Sequence, residues 1–155
     1  MKIALGSDEK TDLTDHITSY LQGQGNTVEL AGALKEGDEK LWPYVGYAVD
    51  RMVLGRECDT GIACCWTGTG VCIAANKVPG ARSALCWDDP TARGARLWDD
   101  ANILALSLRY TSQVVAEEII NAWLAPVLDS ERDQEDRRGI QMMAEVESRA
   151  LQQKG

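Results

Sequence analysis

The sequence predicts an α/β fold built of βαβ units around a parallel sheet, and three observations predict it. Short apolar runs alternate along the chain with stretches whose apolar residues recur at helical spacing. The run Thr60-Gly-Ile-Ala-Cys64 is nearly continuous in apolar character, which suits a strand covered on both faces. That strand leads directly into a turn carrying Gly68 and Gly70, from which the next helix opens.

The elements follow in order. Lys2 to Gly6 reads as the first strand, and Leu13, Ile17, Tyr20 and Leu21 mark a helix closed by Gly23 and Gly25. Thr27 to Leu30 is a short second strand, followed by a charged, glycine-containing loop to Pro43 and a helix over roughly Tyr44 to Leu54. The helix after the third strand ends near Asn76, with Pro79-Gly80 as its breaker. Ala81 to Leu85 gives the fourth strand, Asp89 to Trp98 a helix, and Ile103 to Leu106 the fifth strand. Ser112 can cap a helix on which Val115, Ile119 and Trp123 share a face, and Pro126 stops it. Beyond a charged stretch, Ile140, Met143, Val146 and Ala150 recur as on a helix in need of a partner surface.

At 155 residues the chain has the length of one domain, with 45 % hydrophobic and 26 % charged residues, the balance of a globular protein. No apolar stretch is long enough to span a bilayer, and the N-terminus turns polar before a signal-peptide core forms, so a cytoplasmic protein with no membrane partner is expected. A net charge of -8 argues against nucleic acid as a partner. Five cysteines without repeated spacing, and His16 as the sole histidine, argue against a metal site or a disulfide framework. No cofactor is expected; most of the cysteines read as small buried hydrophobes.

The chemically informative stretch runs from Cys64 to Lys77, at the carboxyl end of the middle strand, where open α/β sheets place ligands. A helix starting in a glycine turn offers unpaired N–H groups to an oxyanion, and the same field stabilises a thiolate at the turn. A tight turn that simply needs glycine is the plainer reading. A dinucleotide fingerprint is a rival, since Asp88 follows about twenty residues on. Ile73 in place of a third glycine, and a position after the third strand instead of the first, count against it.

The opening KIALGSD, the core TGTGVCIAANKVPGARSALC, the DDANILALSLR segment and the AEEIINAWL helix together resemble the family of ribose-5-phosphate isomerase B and galactose-6-phosphate isomerase. The resemblance covers about residues 1 to 125 and implies a Rossmann-like three-layer αβα sandwich with a five-stranded parallel sheet. It also implies a single isomerase domain over 1–155, forming homodimers with active sites between subunits, with a homotetramer as a further option. The C-terminal helix, about 133–151, is expected to pack on a partner subunit.

In that family an aldose and a ketose interconvert through a cis-enediol. The resemblance gives Cys65 the place of the base, Thr67 that of the neighbouring hydroxyl, and Asp8 that of a contact to substrate hydroxyls. Asp8 could equally be a helix cap or turn carboxylate. The amides of Gly68, Thr69 and Gly70 would hold the enediolate. The departures are as informative. Glu9 stands where a family histidine is usual, and Trp98-Asp99-Asp100 replaces the His-Asn-Asp triplet with the ring-opening histidine. Trp42 and Trp66 also fall on pocket positions, unless all three tryptophans serve the core or an interface. Ring opening would pass to Glu9 or Asp99, or would not be needed, which favours open-chain or short substrates such as tetrose phosphates. Arg109, Arg132 and Arg137 match or lie beside phosphate-binding positions, though acidic neighbours allow a salt-bridged helix start instead. The expected ligand is a sugar or sugar phosphate; the alternative is a non-catalytic sugar-phosphate-binding or regulatory protein on the same fold.

Overall fold

The computed structural model describes residues 1–153 as a three-layer αβα sandwich. Five parallel strands, β1 (Lys2–Ser7), β2 (Thr27–Gly32), β3 (Thr60–Cys65), β4 (Ser83–Leu85) and β5 (Ile103–Ser107), form one sheet in the order β2-β1-β3-β5-β4. The helices are α1 (Asp12–Gly23), α2 (Trp42–Leu54), α3 (Thr69–Ala75), α4 (Asp89–Trp98), α5 (Gln113–Leu124) and α6 (Gln134–Gln152). A short 3-10 turn at Asp129–Glu131 precedes α6.

Strand alternation sends side chains to two cores. Ile3, Leu5, Ile62, Cys64, Leu104 and Leu106 meet α1, α4 and α5 on one face. Ala4, Ala63, Cys65, Ile103 and Ala105 meet Val45 and Val49 of α2 and Val71 of α3 on the other. Apart from Ile103 the strand residues on this second face are small, and Gly46 lets α2 and α3 close up: a Cβ there would stand 3.0 Å from Ala74 Cβ and from the Val71 carbonyl. Trp123 is the largest side chain sealed in the first core, and its Nε1–H donates to Thr60 Oγ1 at 2.9 Å.

β1, β3 and β5 run one residue and β2 two residues past the sequence expectation, and two starts differ. α2 begins at Trp42, because Pro43 sits in the first turn, where its missing N–H costs nothing. β4 begins at Ser83, because Arg82 is held in the preceding turn, its N–H donating to Asn102 Oδ1 at 2.8 Å. Ser112 does cap α5, accepting from Val115 N–H. α6 buries no residue; Glu147 tethers it by accepting from Gly80 N–H at 2.9 Å, above a cleft of about 120 Å³ lined by Ile140 and Met143. Among the described residues no helix is long and apolar enough to cross a membrane.

From β1 the chain passes to β2 on one side, and from β3 it passes through α3 to β4 on the other. The direction of winding therefore reverses between β1 and β3, and the carboxyl ends of these two strands flank the crevice where such sheets bind ligands.

Candidate active site

Ser7 and Cys64 are register partners on β1 and β3, and Asp8 N–H donates to the Cys64 carbonyl at 3.3 Å. Asp8 and Cys65 thus leave the sheet side by side at the reversal point. Asp8 is not the cap of α1: Thr11 is, in a reciprocal box with Thr14. Burial, with a smaller contribution from the charge of Glu9, raises the Asp8 carboxyl above the usual range, and its Oδ1 is buried with no partner among the described residues. An orphaned carboxylate oxygen at a strand end is a signal of a site, since buried polar atoms are otherwise paired. Glu9 is exposed, its N–H donating to Ser7 Oγ at 3.3 Å.

After Cys65 the chain turns through Trp66 and Thr67 to Gly68, whose φ of +75° needs glycine. A Cβ on Gly68 would also lie 2.9 Å from the Leu106 carbonyl carbon. Gly68 N–H donates to the Cys65 carbonyl at 3.1 Å, so this amide serves the turn and is not free for an oxyanion, contrary to the sequence expectation. The amides of Thr69 and Gly70, in the first turn of α3, have no intrahelical acceptor. Thr67 and Thr69 hydroxyls lie 2.7 Å apart, and the Trp42 ring stands against Gly70, 3.1 Å from where its Cβ would be.

The Cys65 side chain packs toward α2 and α3 and is 4 % exposed. Clefts of this chain lie under α6, along β2 and α2, and on α6 itself, none of them lined by Cys65. At 4 % exposure the thiol is enclosed within the single chain. Cys64, wholly buried on the opposite face, has its thiol pushed up to about 12 by burial and is a packing residue. Cys86 behaves likewise at about 12, and Cys58 is buried and raised. Among the described residues no cluster of histidine, cysteine and carboxylate side chains is arranged to hold a metal.

Arg109 joins the turn from the β5–α5 connection. Leu108 N–H donates to the Cys65 carbonyl and Arg109 N–H to the Trp66 carbonyl, both at 3.0 Å. Its guanidinium lies over the Trp66 ring, 5.7 Å from the centroid, and over Tyr110 at 5.3 Å. Tyr110 was not among the residues singled out from sequence, although its place beside Arg109 in a strand–helix connection was a readable signal.

The remaining expected residues fall at the other end of the sheet. α4 runs back against the strands, so Trp98 and Asp99 stand where the chain re-enters β5, not beside Cys65. Trp98 is exposed and packs on Gly94; burial, with the charge of Asp136, raises the Asp99 carboxyl. Arg132 donates to the Leu97 and Arg96 carbonyls and to Asp100 Oδ1 at 2.7 Å, and Asp100 also pairs with Arg82. Arg137 is engaged by Asp129 and by the Arg132 carbonyl. Within one chain Arg132 ties the segment before α6 to α4, Arg137 clasps α6 to the 3-10 turn, and Trp98 stands apart from Trp42 and Trp66. A helix returning antiparallel to its strand must end at the opposite edge, which is the physical reason.

A family model described as Ribose/Galactose Isomerase matches residues 3–141. The chain belongs to the ribose/galactose isomerase family. By that membership it is a sugar isomerase with a Rossmann-like fold. It is 39 % identical over 125 residues to the D-erythrulose-4-phosphate isomerase of Pectobacterium atrosepticum, spanning 80 % of this chain and 82 % of that protein. Against ribose-5-phosphate isomerase B of Escherichia coli the identity is 32 % over 135 residues, covering 86 % and 90 %. The solved structure of ribose-5-phosphate isomerase B from Clostridium thermocellum superposes with a TM-score of 0.85 at 36 % identity, over 97 % of this chain and 99 % of that one.

Proposed function

We propose that this family member interconverts an aldose phosphate and a ketose phosphate through a cis-enediol, on a substrate shorter than ribose 5-phosphate, with Cys65 as the base. The base takes a proton from one of C1 and C2 and returns it to the other, while the amides of Thr69 and Gly70 and the Thr67 hydroxyl stabilise the oxyanion. Asp8 accepts hydrogen bonds from substrate hydroxyls. The observation that carries the reading is the pairing of a buried, unpartnered Asp8 oxygen with the Cys65 turn across the reversal point of the sheet. The 39 % identity to a tetrose-phosphate isomerase supports a short substrate, as does Trp98 standing where the resemblance places the ring-opening histidine.

The pocket is completed by a second copy. Trp98, Asp99, Arg132 and Arg137 lie at the end of the sheet away from Cys65, and an active site using both groups needs the lower edge of one chain against the upper edge of another. α6, with no buried residue of its own, is the element that docks on the partner. Its apolar face includes Met143 and Val146, both exposed.

A second reading, a sugar-phosphate-binding protein without catalysis, is favoured by the enclosure of the Cys65 thiol. Incubation in D2O with aldoses and ketoses of three to six carbons, with and without phosphate, separates the two. An isomerase deposits deuterium at C1 or C2 of a tetrose phosphate faster than of ribose 5-phosphate; a binder deposits none with any sugar. Faster exchange into ribose 5-phosphate would overturn the substrate preference.

A further inference from the structure

Arg109, like Arg51, Arg56 and Arg138, has no carboxylate or carbonyl held by its side chain among the described residues, but it is the one placed at the Cys65 turn. Arg82, Arg93 and Arg132 each hold a carboxylate and a carbonyl, Arg137 does the same, and Arg96 donates to the Ala101 carbonyl. The guanidinium of Arg109 has no such acceptor among the described residues; what it touches are two aromatic faces, Trp66 and Tyr110. In a chain of net charge -8, a cation left without a carboxylate beside a ligand turn calls for an explanation.

The backbone around it is knotted to hold that arrangement. The Trp66 carbonyl accepts from Arg109 N–H at 3.0 Å and from Ser107 Oγ–H at 2.9 Å, and Ser107 Oγ in turn accepts from Tyr110 N–H at 3.1 Å. Trp66, Arg109 and Tyr110 are thereby fixed relative to one another at the main chain, while the Trp66 ring is itself 54 % exposed and not a core residue. Stacking on an aromatic face fixes the plane of a guanidinium but leaves its N–H edge free for an anion. It also removes in advance part of the side-chain entropy that binding would otherwise cost.

We propose that Trp66 is a positioning residue: with Tyr110 it folds the Arg109 side chain back over the Cys65 turn, so that a substrate phosphate is bound close to the reacting carbons and short sugar phosphates are selected. The inference rests on the isomerase reading for the identity of the reacting carbons, but the geometry it asserts is one of phosphate binding. A freely extended arginine would meet the phosphate of a longer sugar instead.

Calorimetric binding of 4-phosphoerythronate, 5-phosphoribonate and unphosphorylated erythronate to wild type, Trp66→Ala, Trp66→Phe, Arg109→Ala and the Trp66→Ala/Arg109→Ala double variant tests it. Trp66→Ala weakens 4-phosphoerythronate about three- to fivefold, the scale of an exposed cation–π contact. It leaves erythronate unchanged and brings the two phosphorylated acids toward equal affinity, while Trp66→Phe retains most of the wild-type preference. In the Arg109→Ala background Trp66→Ala has no further effect. Equal weakening of erythronate, or the same loss with Arg109 already removed, overturns the proposal, as does a wild type that binds neither phosphorylated acid. If the isomerase reading alone fails, deuterium exchange is absent from wild type while this binding pattern persists.

Discussion

Asp50 gives the sharpest test of the packing that supports the site. It lies one turn after Gly46 on the inner face of α2, is 0 % exposed, and neither carboxylate oxygen has a partner among the described residues. Burial pushes its carboxyl from the ordinary 3.8 up to about 7. Below about pH 4 the group is neutral in both folded and unfolded chains and contributes nothing to their difference. As pH rises through the unfolded value the unfolded chain ionises while the folded one does not, so stability falls; above the folded value the loss is complete. The gap from 3.8 to about 7 corresponds to about 4 kcal/mol at that limit. Asp50→Asn keeps the shape and removes the ionisation. Urea unfolding of both proteins from about pH 5 to about pH 8 is expected to show the variant gaining about 2–3 kcal/mol relative to wild type across that range. Curves that stay parallel across the range would refute the reasoning, because they would mean that Asp50 is ionised and satisfied in the folded chain. The same ionisation bears on the site, since α2 is the helix that brings Trp42 against Gly70.

Three further outcomes follow from the geometry. Gly68→Ala places a side chain at φ +75° and against the Leu106 carbonyl, so it should lose more than about 2 kcal/mol in urea unfolding and abolish ligand binding at the turn. Trp123→Phe removes the donor to buried Thr60 and leaves a void, with an expected cost of about 2–4 kcal/mol and a lower Tm, but unchanged affinity for 4-phosphoerythronate per folded molecule. Arg132→Ala leaves Asp100 Oδ1 and the carbonyls of Arg96 and Leu97 without this donor, while Arg82 still holds Asp100 Oδ2; a stability loss of about 1–3 kcal/mol marks its role within the chain. A larger loss of turnover at saturating enzyme concentration would mark a role across the subunit boundary as well.

The fold was legible because its signals are local and periodic. Alternating small and large residues in β1, β3 and β5 specify two cores, and the glycine turn after Cys65 marks the reversal point of the sheet. The cap at Ser112 and the stop before Pro126 were equally plain. What the sequence did not disclose was which end of the sheet each site residue reaches. Trp98 and Asp99 match pocket positions in the family pattern, yet the direction of α4 sets them at the far edge of their own chain. Nor did it disclose that the Gly68 amide is taken by the Cys65 carbonyl; a salt-bridged alternative for Arg132 and Arg137 was open, but not which carbonyls and carboxylates they reach. Those are pairings between residues, invisible to a reading of residues one at a time. Asp50 was readable in principle, since it follows Gly46 by four on a helix whose inner face also carries Val45 and Val49.

The measurement that bears most directly on the account is deuterium incorporation from D2O into a tetrose phosphate by wild type and by Cys65→Ala, each verified as folded by circular dichroism. Wild type should label C1 or C2 and the alanine variant should fall to the uncatalysed rate. Labelling that continues undiminished without the sulfur would contradict the account and transfer the base to a carboxylate, such as Asp8, which leaves the sheet beside Cys65.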